Sequence, residues 1–238
     1  MKKWLYGGVP LLVIAVLAGL IYSGAIQLNR PSPDTFPVRG VDVSHYQGAV
    51  DWHALRAQGL MFAYIKATEG SSSVDGTFQT NWENVRLSGL RPGAYHFFSF
   101  ESSGLDQAAN FIRTVSRVDN MLPPALDVEP YGPYKAIRDI PGAASEMRQW
   151  LNAVEAEYGL RPVIYTTEAF YKDCIADAFP DYDIWIRSVY RRPSGSVHWT
   201  FWQYSDRSRL NGYDGEERFI DMNTFHGSVE DFKAYVQR

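Results

Sequence analysis

The sequence predicts an α/β protein whose eight strands close into a barrel. From Val38 onward, short apolar runs of strand length alternate with helix-like stretches, which is the pattern of a parallel sheet with crossover helices. Five such units precede three strands with no helical stripe between them, and eight strands can close a barrel. The alternative is an open doubly wound sheet, but no glycine-rich phosphate loop follows the first predicted strand.

Residues 1–30 are predicted to lie outside the barrel. Lys2 and Lys3 precede an uncharged run over Trp4–Leu28, and these 25 residues are enough to cross a hydrocarbon layer of about 30 Å. The basic end is expected to stay in the cytoplasm, which sends the rest of the chain outward. A cleaved signal peptide is the competing interpretation, because residues 23–25 resemble a small-x-small cleavage site.

Residues 31–37 contain three prolines and are interpreted as a short stiff linker. The folded domain is therefore expected to cover 38–238. Its predicted strands lie near Gly40–Val43, Phe62–Lys66, Gly93–Phe98, Ala125–Val128, Pro162–Tyr165, Asp183–Arg187, Thr200–Tyr204 and Phe219–Asn223.

The clearest predicted helix covers roughly Ala144–Tyr158, where apolar side chains recur with helical spacing and form one stripe. Gly159 supplies a C-terminal stop, and Pro162 lies just beyond it. A further helix is expected around Glu168–Ala176. The segment Ser228–Asp231 resembles a capping box and predicts a final short helix.

Composition excludes several classes of function. A net charge of −4 argues against nucleic-acid binding by phosphate neutralisation. The single cysteine, Cys174, excludes an intramolecular disulfide and a cysteine-based zinc or iron–sulfur site. The five histidines show no H-x-H or H-x-x-x-H spacing, so we expect no metal and no other cofactor.

Acidic residues gather at the ends of the predicted strands, where a parallel barrel places its active site. Asp127 and Glu129 lie two apart, so both point to one side of their strand, while Leu126 and Val128 point toward the helices. An inward pair of acids is costly unless it has a task or partners. The five candidate carboxyl groups are those of Asp42, Glu69, Asp127, Glu129 and Asp221.

Clustered carboxyl groups suit either a hard metal or the cleavage of a glycosidic bond. Glycoside cleavage needs one protonated acid and a second carboxylate across the bond. Crowded acids raise one another's pKa through like-charge repulsion and desolvation, and one of them then stays protonated near neutral pH.

Several other residues near the strand ends have two interpretations. Lys66 is expected to pair with the carboxylates rather than to form a Schiff base, and His96 is expected to be a hydrogen-bonded core histidine. Glu69 is left open between a catalytic helper, a substrate contact and a partner of Lys66. Four aromatic residues are candidates for a sugar platform or for barrel core: Tyr95, Tyr165, Trp202 and Tyr204.

Seven short motifs together resemble the glycoside hydrolase family 25 lysozymes, the Chalaropsis-type muramidases, from residue 38 to about residue 225. One such motif would be a weak signal, but seven in the family's order are highly specific. They are Gly40–Gly48 with Val50–Trp52, Phe62–Gly70, Gly93–Phe98, Leu126–Glu129, Pro162–Thr166, Trp202–Ser205 and Ile220–Asn223.

The resemblance implies a modified TIM-like barrel, (β/α)5β3. It also implies hydrolysis of the β-1,4 bond between N-acetylmuramic acid and N-acetylglucosamine in peptidoglycan. By this likeness Glu129 is the acid/base, and Asp42, Asp127 and Asp221 form the surrounding acidic set. The substrate-binding candidates are Tyr95, Glu69, Tyr165, Trp202 and Gln203.

The chain departs from the family pattern in its sixth predicted strand. The family commonly has a small residue and an aromatic after Trp-Ile, whereas Arg187 follows Trp185 and Ile186 here. This charge puts the local shape of the substrate groove in question, but not the acid chemistry of the D-x-E motif formed by Asp127 and Glu129.

The expected partners are peptidoglycan glycan strands and, through residues 1–30, the membrane; we expect no nucleic acid and a monomer. The catalytic domain should lie outside the cytoplasm, and it is secreted if the N-terminal segment is cleaved. Rival functions are a non-catalytic peptidoglycan- or chitin-binding barrel and a metal-dependent deacetylase. The second catalytic group is left open between an aspartate and the substrate's own 2-acetamido group.

Overall fold

A closed barrel forms the centre of the molecule, for which the computed structural model describes residues 5–27, 29–135 and 140–235. Within these ranges one sheet has the order β1-β9-β8-β7-β6-β5-β4-β2-β3, and β1 also pairs with β2, which closes the barrel and leaves β3 as an appendage. The expected barrel of eight strands is thus confirmed. The strands are β1 (Arg39–Val43), β2 (Phe62–Glu69), β3 (Ser73–Val74), β4 (Arg91–Phe97), β5 (Ala125–Asp127), β6 (Val163–Thr167), β7 (Ile184–Arg187), β8 (Phe201–Ser208) and β9 (Ile220–Phe225).

Helices follow the first five barrel strands, as the alternating pattern predicts, while β7, β8 and β9 succeed one another without a helix. The helices are α1 (Leu5–Tyr22), α2 (Trp52–Ala57), α3 (Phe78–Leu87), α4 (Gly104–Thr114), α5 (Ile140–Tyr158), α6 (Glu168–Phe170) and α7 (Val229–Ala234).

Three of these helices correspond to segments with a sequence pattern of their own. The apolar stripe of α5 is buried, as its spacing predicts. The helix expected over Glu168–Ala176 is split into the short α6 and a π-helical turn at Tyr171–Ile175. The capping box before α7 is present, because the Ser228 side chain accepts from the Asp231 amide and the Asp231 side chain accepts from the Ser228 amide.

Two apolar cores lie on opposite sides of the sheet. Alternate strand residues such as Phe62, Tyr64 and Trp185 fill the barrel interior, while residues between them pack against the helices. Gly93 is required by this interior, because a Cβ atom there would lie 2.5 Å from the Tyr64 ring. The interior packing therefore leaves only the ends of the barrel for polar side chains.

The chain before β1 covers part of the wall that lacks helices. Phe36 is only 6% exposed, and its ring centroid lies 5.6 Å from that of Trp199 and 6.1 Å from that of Trp202. The Asn29 side-chain amide donates to the Ser188 carbonyl over 2.6 Å and to the Arg191 carbonyl over 2.8 Å. Through Phe36, the segment expected to be a short stiff linker thus contributes to the barrel's outer core.

The N-terminal apolar run forms a shorter helix than the sequence predicts. Helix α1 ends at Tyr22, and the backbone turns at Gly24, where φ is +73°. Across the ranges that the structure describes, no helix combines the length and apolarity needed to span a bilayer. The expected membrane-spanning helix over 4–28 is therefore not found there. Parts of that prediction lie outside the described residues, namely Lys2, Lys3, Trp4 and Leu28, as do residues 236–238 of the expected domain.

We predict that Phe36→Ala destabilises the domain although position 36 precedes the barrel. Removing a buried phenylalanine leaves a cavity, so the free energy of unfolding should fall by about 3–5 kcal/mol. Urea denaturation measures this change, and Leu87→Ala is the control because Leu87 is 75% exposed on α3. Equal stabilities for the two variants would show that Phe36 does not pack on the domain in solution.

Candidate active site

Carboxyl groups from separate strands meet at one end of the barrel. Asp42 on β1 and Asp221 on β9 are directly paired in the sheet register. Asp127 ends β5, and Glu129 follows two residues later on the same side of the chain. Asp221 was expected at the end of its strand, but it is the second residue of β9. Because β9 runs antiparallel to both neighbours, its beginning lies at the same end of the barrel. We call this end, where Asp42, Asp127, Glu129 and Asp221 meet, the mouth.

Asp42 is held by side-chain amides. Gln203 Nε2 lies 3.2 Å from Asp42 Oδ1 and 3.0 Å from Oδ2, and it also donates to Asp221 Oδ2 over 3.0 Å. Asn223 Nδ2 donates to Asp42 Oδ2 over 2.7 Å. Both Asp42 oxygens therefore accept hydrogen bonds, which favour its ionised form.

Two aromatic side chains set the direction of these amides. Tyr165 Oη donates to Gln203 Oε1 over 2.9 Å, and Trp185 Nε1 donates to Asn223 Oδ1 over 2.8 Å. An indole N–H can only donate, so the Asn223 NH2 group must face the carboxylates, and the carboxylates can only accept from Gln203, which leaves its Oε1 for the Tyr165 hydroxyl. The barrel interior thereby orients both amides toward Asp42.

Burial is the largest influence on the pKa of four acids at the mouth, namely Asp42, Asp127, Glu129 and Asp221. It raises the pKa of Asp42, against which the hydrogen bonds from Asn223 and Gln203 and the charge of Arg187 act. Burial, followed by the charge of Asp42, holds the pKa of Asp221 well above its usual value. Hydrogen bonds thus counteract the burial of Asp42, whereas at Asp221 burial and the charge of Asp42 both favour the protonated form.

The D-x-E pair also favours protons. Burial, followed by the charge of Glu129 and then of Asp42, holds the pKa of Asp127 well above its usual value. The Asp127 Oδ1 atom is buried and has no hydrogen-bond partner among the described residues. Burial raises the pKa of Glu129 as well, although the charge of Arg187 opposes this rise. Glu129 is only partly buried, so its proton can reach a bound molecule.

The remaining predicted residues lie either at the mouth or in the outer core. Tyr95 lines the mouth beside Asp42, and Glu69 accepts from Lys66 Nζ over 2.6 Å at the end of β2. Trp202 was expected to bind substrate, but the structure does not bring it to the acids. Its neighbour Gln203 takes the inward position on β8, so Trp202 faces the outer core, where it is 2% exposed. Of the two, only Gln203 reaches the acids.

Two further expectations concern core residues. Tyr204, another platform candidate, also belongs to the outer core, because it lies on the same side of β8 as Trp202. His96 hydrogen-bonds with Thr68 and Gln107 and stacks on Trp150, and burial lowers its pKa to about 4. It is a neutral structural histidine.

Sequence reasoning overlooked part of the mouth. Asn223 had a usable signal, because it lies two residues after Asp221 and therefore shares its side of the strand. Tyr46 in a 3-10 turn after β1, Asp206 on β8 and Glu217 in the loop before β9 also line the mouth, and no sequence spacing predicts this. Over residues 5–27, 29–135 and 140–235, no group of three or more histidine, cysteine or acidic side chains is arranged to hold a metal ion.

Comparison with known proteins identifies the family of this barrel. The family model for glycosyl hydrolases family 25 matches residues 41–213, which include Asp42, Asp127 and Glu129. The chain belongs to glycosyl hydrolase family 25. Lysozyme M1 of Streptomyces globisporus is 39% identical over 211 residues, which cover 82% of this chain and 70% of that protein.

Solved structures agree with this assignment. A family 25 glycosyl hydrolase from Bacillus anthracis is 44% identical, with a TM-score of 0.82 over 87% of this chain and 97% of that one. The bacterial lysozyme from Streptomyces coelicolor is 33% identical, with a TM-score of 0.74 over 84% and 96%. This family 25 chain is therefore a glycoside hydrolase of the lysozyme type.

We predict that Asp127→Asn stabilises the fold at neutral pH. The folded-state pKa of Asp127 is raised by burial and by the neighbouring acids, so its contribution to stability is present below pH 3.8 and is lost as pH rises through the folded-state pKa. The neutral amide removes this loss. The melting temperature of the variant should exceed that of the wild type at pH 7, and the difference should vanish below pH 3.8.

Thermal melts of Asp119→Asn supply the control, because Asp119 is exposed and its replacement leaves the mouth intact. If Asp127→Asn melts below the wild type at pH 7, then the Asp127 carboxylate is stabilised by partners rather than strained by burial.

Proposed function

We propose that this family 25 hydrolase cleaves the β-1,4 bond between N-acetylmuramic acid and N-acetylglucosamine, with Glu129 as general acid and then general base. The observation that carries the assignment is the position of Glu129: its side chain is partly exposed at the mouth, and burial raises its pKa. A proton donor to the leaving oxygen needs both properties.

We further propose that the second group is the substrate's own 2-acetamido group, oriented by Asp127. Asp127 lies on the same side of the chain as the proposed acid, and its Oδ1 has no partner in the described part of the structure. That oxygen is free to accept from the acetamido N–H. Asp42 is a poorer nucleophile in this scheme, because Gln203 and Asn223 occupy both of its oxygens.

The anion at Asp42 has a separate proposed task. A glycosidic bond breaks through a transition state with positive charge on the sugar ring. A fixed carboxylate stabilises that charge without reorganising at the moment of reaction. Asp221 shares the Gln203 amide with Asp42, so the two form one unit. In this proposal Tyr95 and Glu69 border the sugar, whereas Tyr165 and Gln203 act by positioning Asp42.

A non-catalytic glycan-binding barrel is the rival function. Burial of four carboxyl groups raises their pKa and lowers the free energy of unfolding at neutral pH. Glycan binding alone does not require this destabilising arrangement. A metal-dependent deacetylase is separated by chelator: activity that survives EDTA excludes it. Cell-wall lysis in a zymogram separates the hydrolase from the pure binder.

We propose that the barrel works outside the cytoplasm and that residues 1–30 attach it to the membrane unless they are cleaved. The support is the exposure of the apolar side chains of α1, which lie on successive positions and so surround the helix. Seven of them are between 38% and 69% exposed, namely Leu11, Leu12, Val13, Ile14, Val16, Leu17 and Leu20.

We predict that Glu129→Gln abolishes turnover and preserves the fold. The amide is close in shape to the protonated acid but cannot donate a proton to the leaving oxygen, so the rate of cell-wall lysis should fall about 100-fold or more. Turbidity loss of purified cell walls measures this rate, and a thermal melt checks the fold.

Glu157→Gln is the matched control, because Glu157 is exposed on α5 and lies on an outer helix. It should lyse cell walls at the wild-type rate. Near-normal lysis by Glu129→Gln with an unchanged melting curve would reject Glu129 as the acid.

We predict that the full chain sediments with membranes and that deletion of residues 1–22 releases an active domain. This deletion removes α1 but retains Gln27, Asn29 and Phe36, which contact the barrel. Fractionation followed by a lysis assay tests both statements. Recovery of exported protein with a mature N-terminus near Ile26 would instead establish a cleaved signal.

A further inference from the structure

Arg187 brings a positive charge into a mouth built from acids. Trp185 fills the barrel interior, and Arg187 lies two residues further along β7, on the same side and at the strand's end. Its register partners are Thr167 on β6 and Gln203 on β8, so it stands beside the amide that holds Asp42.

Only part of the Arg187 guanidinium is used within the protein. Nη2 donates to Asp206 Oδ2 over 2.8 Å, and this is its one hydrogen bond to the described residues. A guanidinium carries five N–H donors, so those on Nε and Nη1 are left for another acceptor. The side chain is 33% exposed, which gives such an acceptor access from solvent.

A second described cation whose charge reaches the acids, Lys66, already forms an ion pair within the protein. Lys66 on β2 pairs with Glu69 over 2.6 Å, and its side chain is only 15% exposed. Around the mouth, an ionised Asp42 would repel an anionic group on a substrate. Arg187, which is partly exposed and uses one nitrogen on Asp206, is the position at which a substrate anion is best accommodated.

Peptidoglycan carries anions on one of its two sugars. The muramyl unit bears a lactyl ether that ends in a carboxylate, or in a stem peptide with carboxylates of its own, whereas N-acetylglucosamine is neutral. We propose that Arg187 is a specificity residue that binds a carboxylate on the muramyl side chain through its free guanidinium donors. This inference rests on the proposed function and deepens it.

Binding of this kind requires no rearrangement of the ion pair with Asp206. Asp206 holds one nitrogen and fixes the plane of the guanidinium, and the remaining donors form charge-assisted hydrogen bonds with the substrate carboxylate. Arginine suits this task better than lysine, because its donors have a fixed planar geometry that matches a carboxylate.

The test compares glycan chains that differ only in charge. The first substrate is peptide-free glycan with free lactyl carboxylates, and the second is the same glycan with its carboxylates converted to amides. For the wild type, kcat/KM should be higher on the charged glycan, mainly through a lower KM. In Arg187→Gln the ratio of the two kcat/KM values should fall about tenfold, because a charge-assisted hydrogen bond is lost.

Controls separate binding from an effect on the acids. Loss of the charge near Glu129 would alter turnover on both glycans equally, so only the ratio reports carboxylate binding. Arg161→Gln is the matched control, since Arg161 is 55% exposed and pairs with Glu155 on the outer surface. Arg187→Lys should recover part of the ratio, and it keeps the test valid if the glutamine variant fails to fold.

Each outcome decides the question. A wild type that prefers neither glycan, or a ratio unchanged in Arg187→Gln, overturns the inference although the proposed function stands. A wild type that cleaves neither glycan, nor intact peptidoglycan, contradicts the proposed function itself. Intact peptidoglycan as a third substrate identifies the source of the carboxylate: a greater loss there than on peptide-free glycan assigns it to the stem peptide.

Discussion

The mouth of the barrel depends on the hydrogen bonds that Gln203 and Asn223 donate to Asp42. Four largely buried carboxyl groups, those of Asp42, Asp127, Glu129 and Asp221, would be costly in an apolar barrel if all of them were ionised, because their like charges repel. Because Tyr165 and Trp185 hold the amides with their NH2 groups toward Asp42, the negative charge is best supported there. The protons then remain on the neighbouring acids, where a glycosidase needs a donor.

The rest of the fold serves this arrangement through alternation along the strands. The residues that orient the amides belong to the same inward-facing rows as the barrel core, so packing and site geometry are set together. The same buried acids therefore affect the stability of the fold and the proposed reaction in opposite ways. Groups that raise the pKa of Asp127 and Glu129 weaken the fold at neutral pH, and in the proposed mechanism they also keep a proton available for the reaction.

Much of this architecture could be predicted from the sequence, because its signals are periodic. The strand positions and the shared side of Asp127 and Glu129 follow from a two-residue repeat. Trp202 was misplaced because β8 is buried on both faces, so its hydrophobicity does not show which residues point inward. Phe36 was missed because its packing partners lie far along the chain, and the pairing of Arg187 with Asp206 depends on an irregular stretch of β8.

Under the proposed function, this mouth cleaves peptidoglycan on the reducing side of N-acetylmuramic acid. The most direct measurement is mass spectrometry of purified peptidoglycan after digestion by the full chain and reduction with borohydride. We expect new reducing ends that carry reduced N-acetylmuramic acid. New ends that carry reduced N-acetylglucosamine, or glycan chains without new ends, would contradict it.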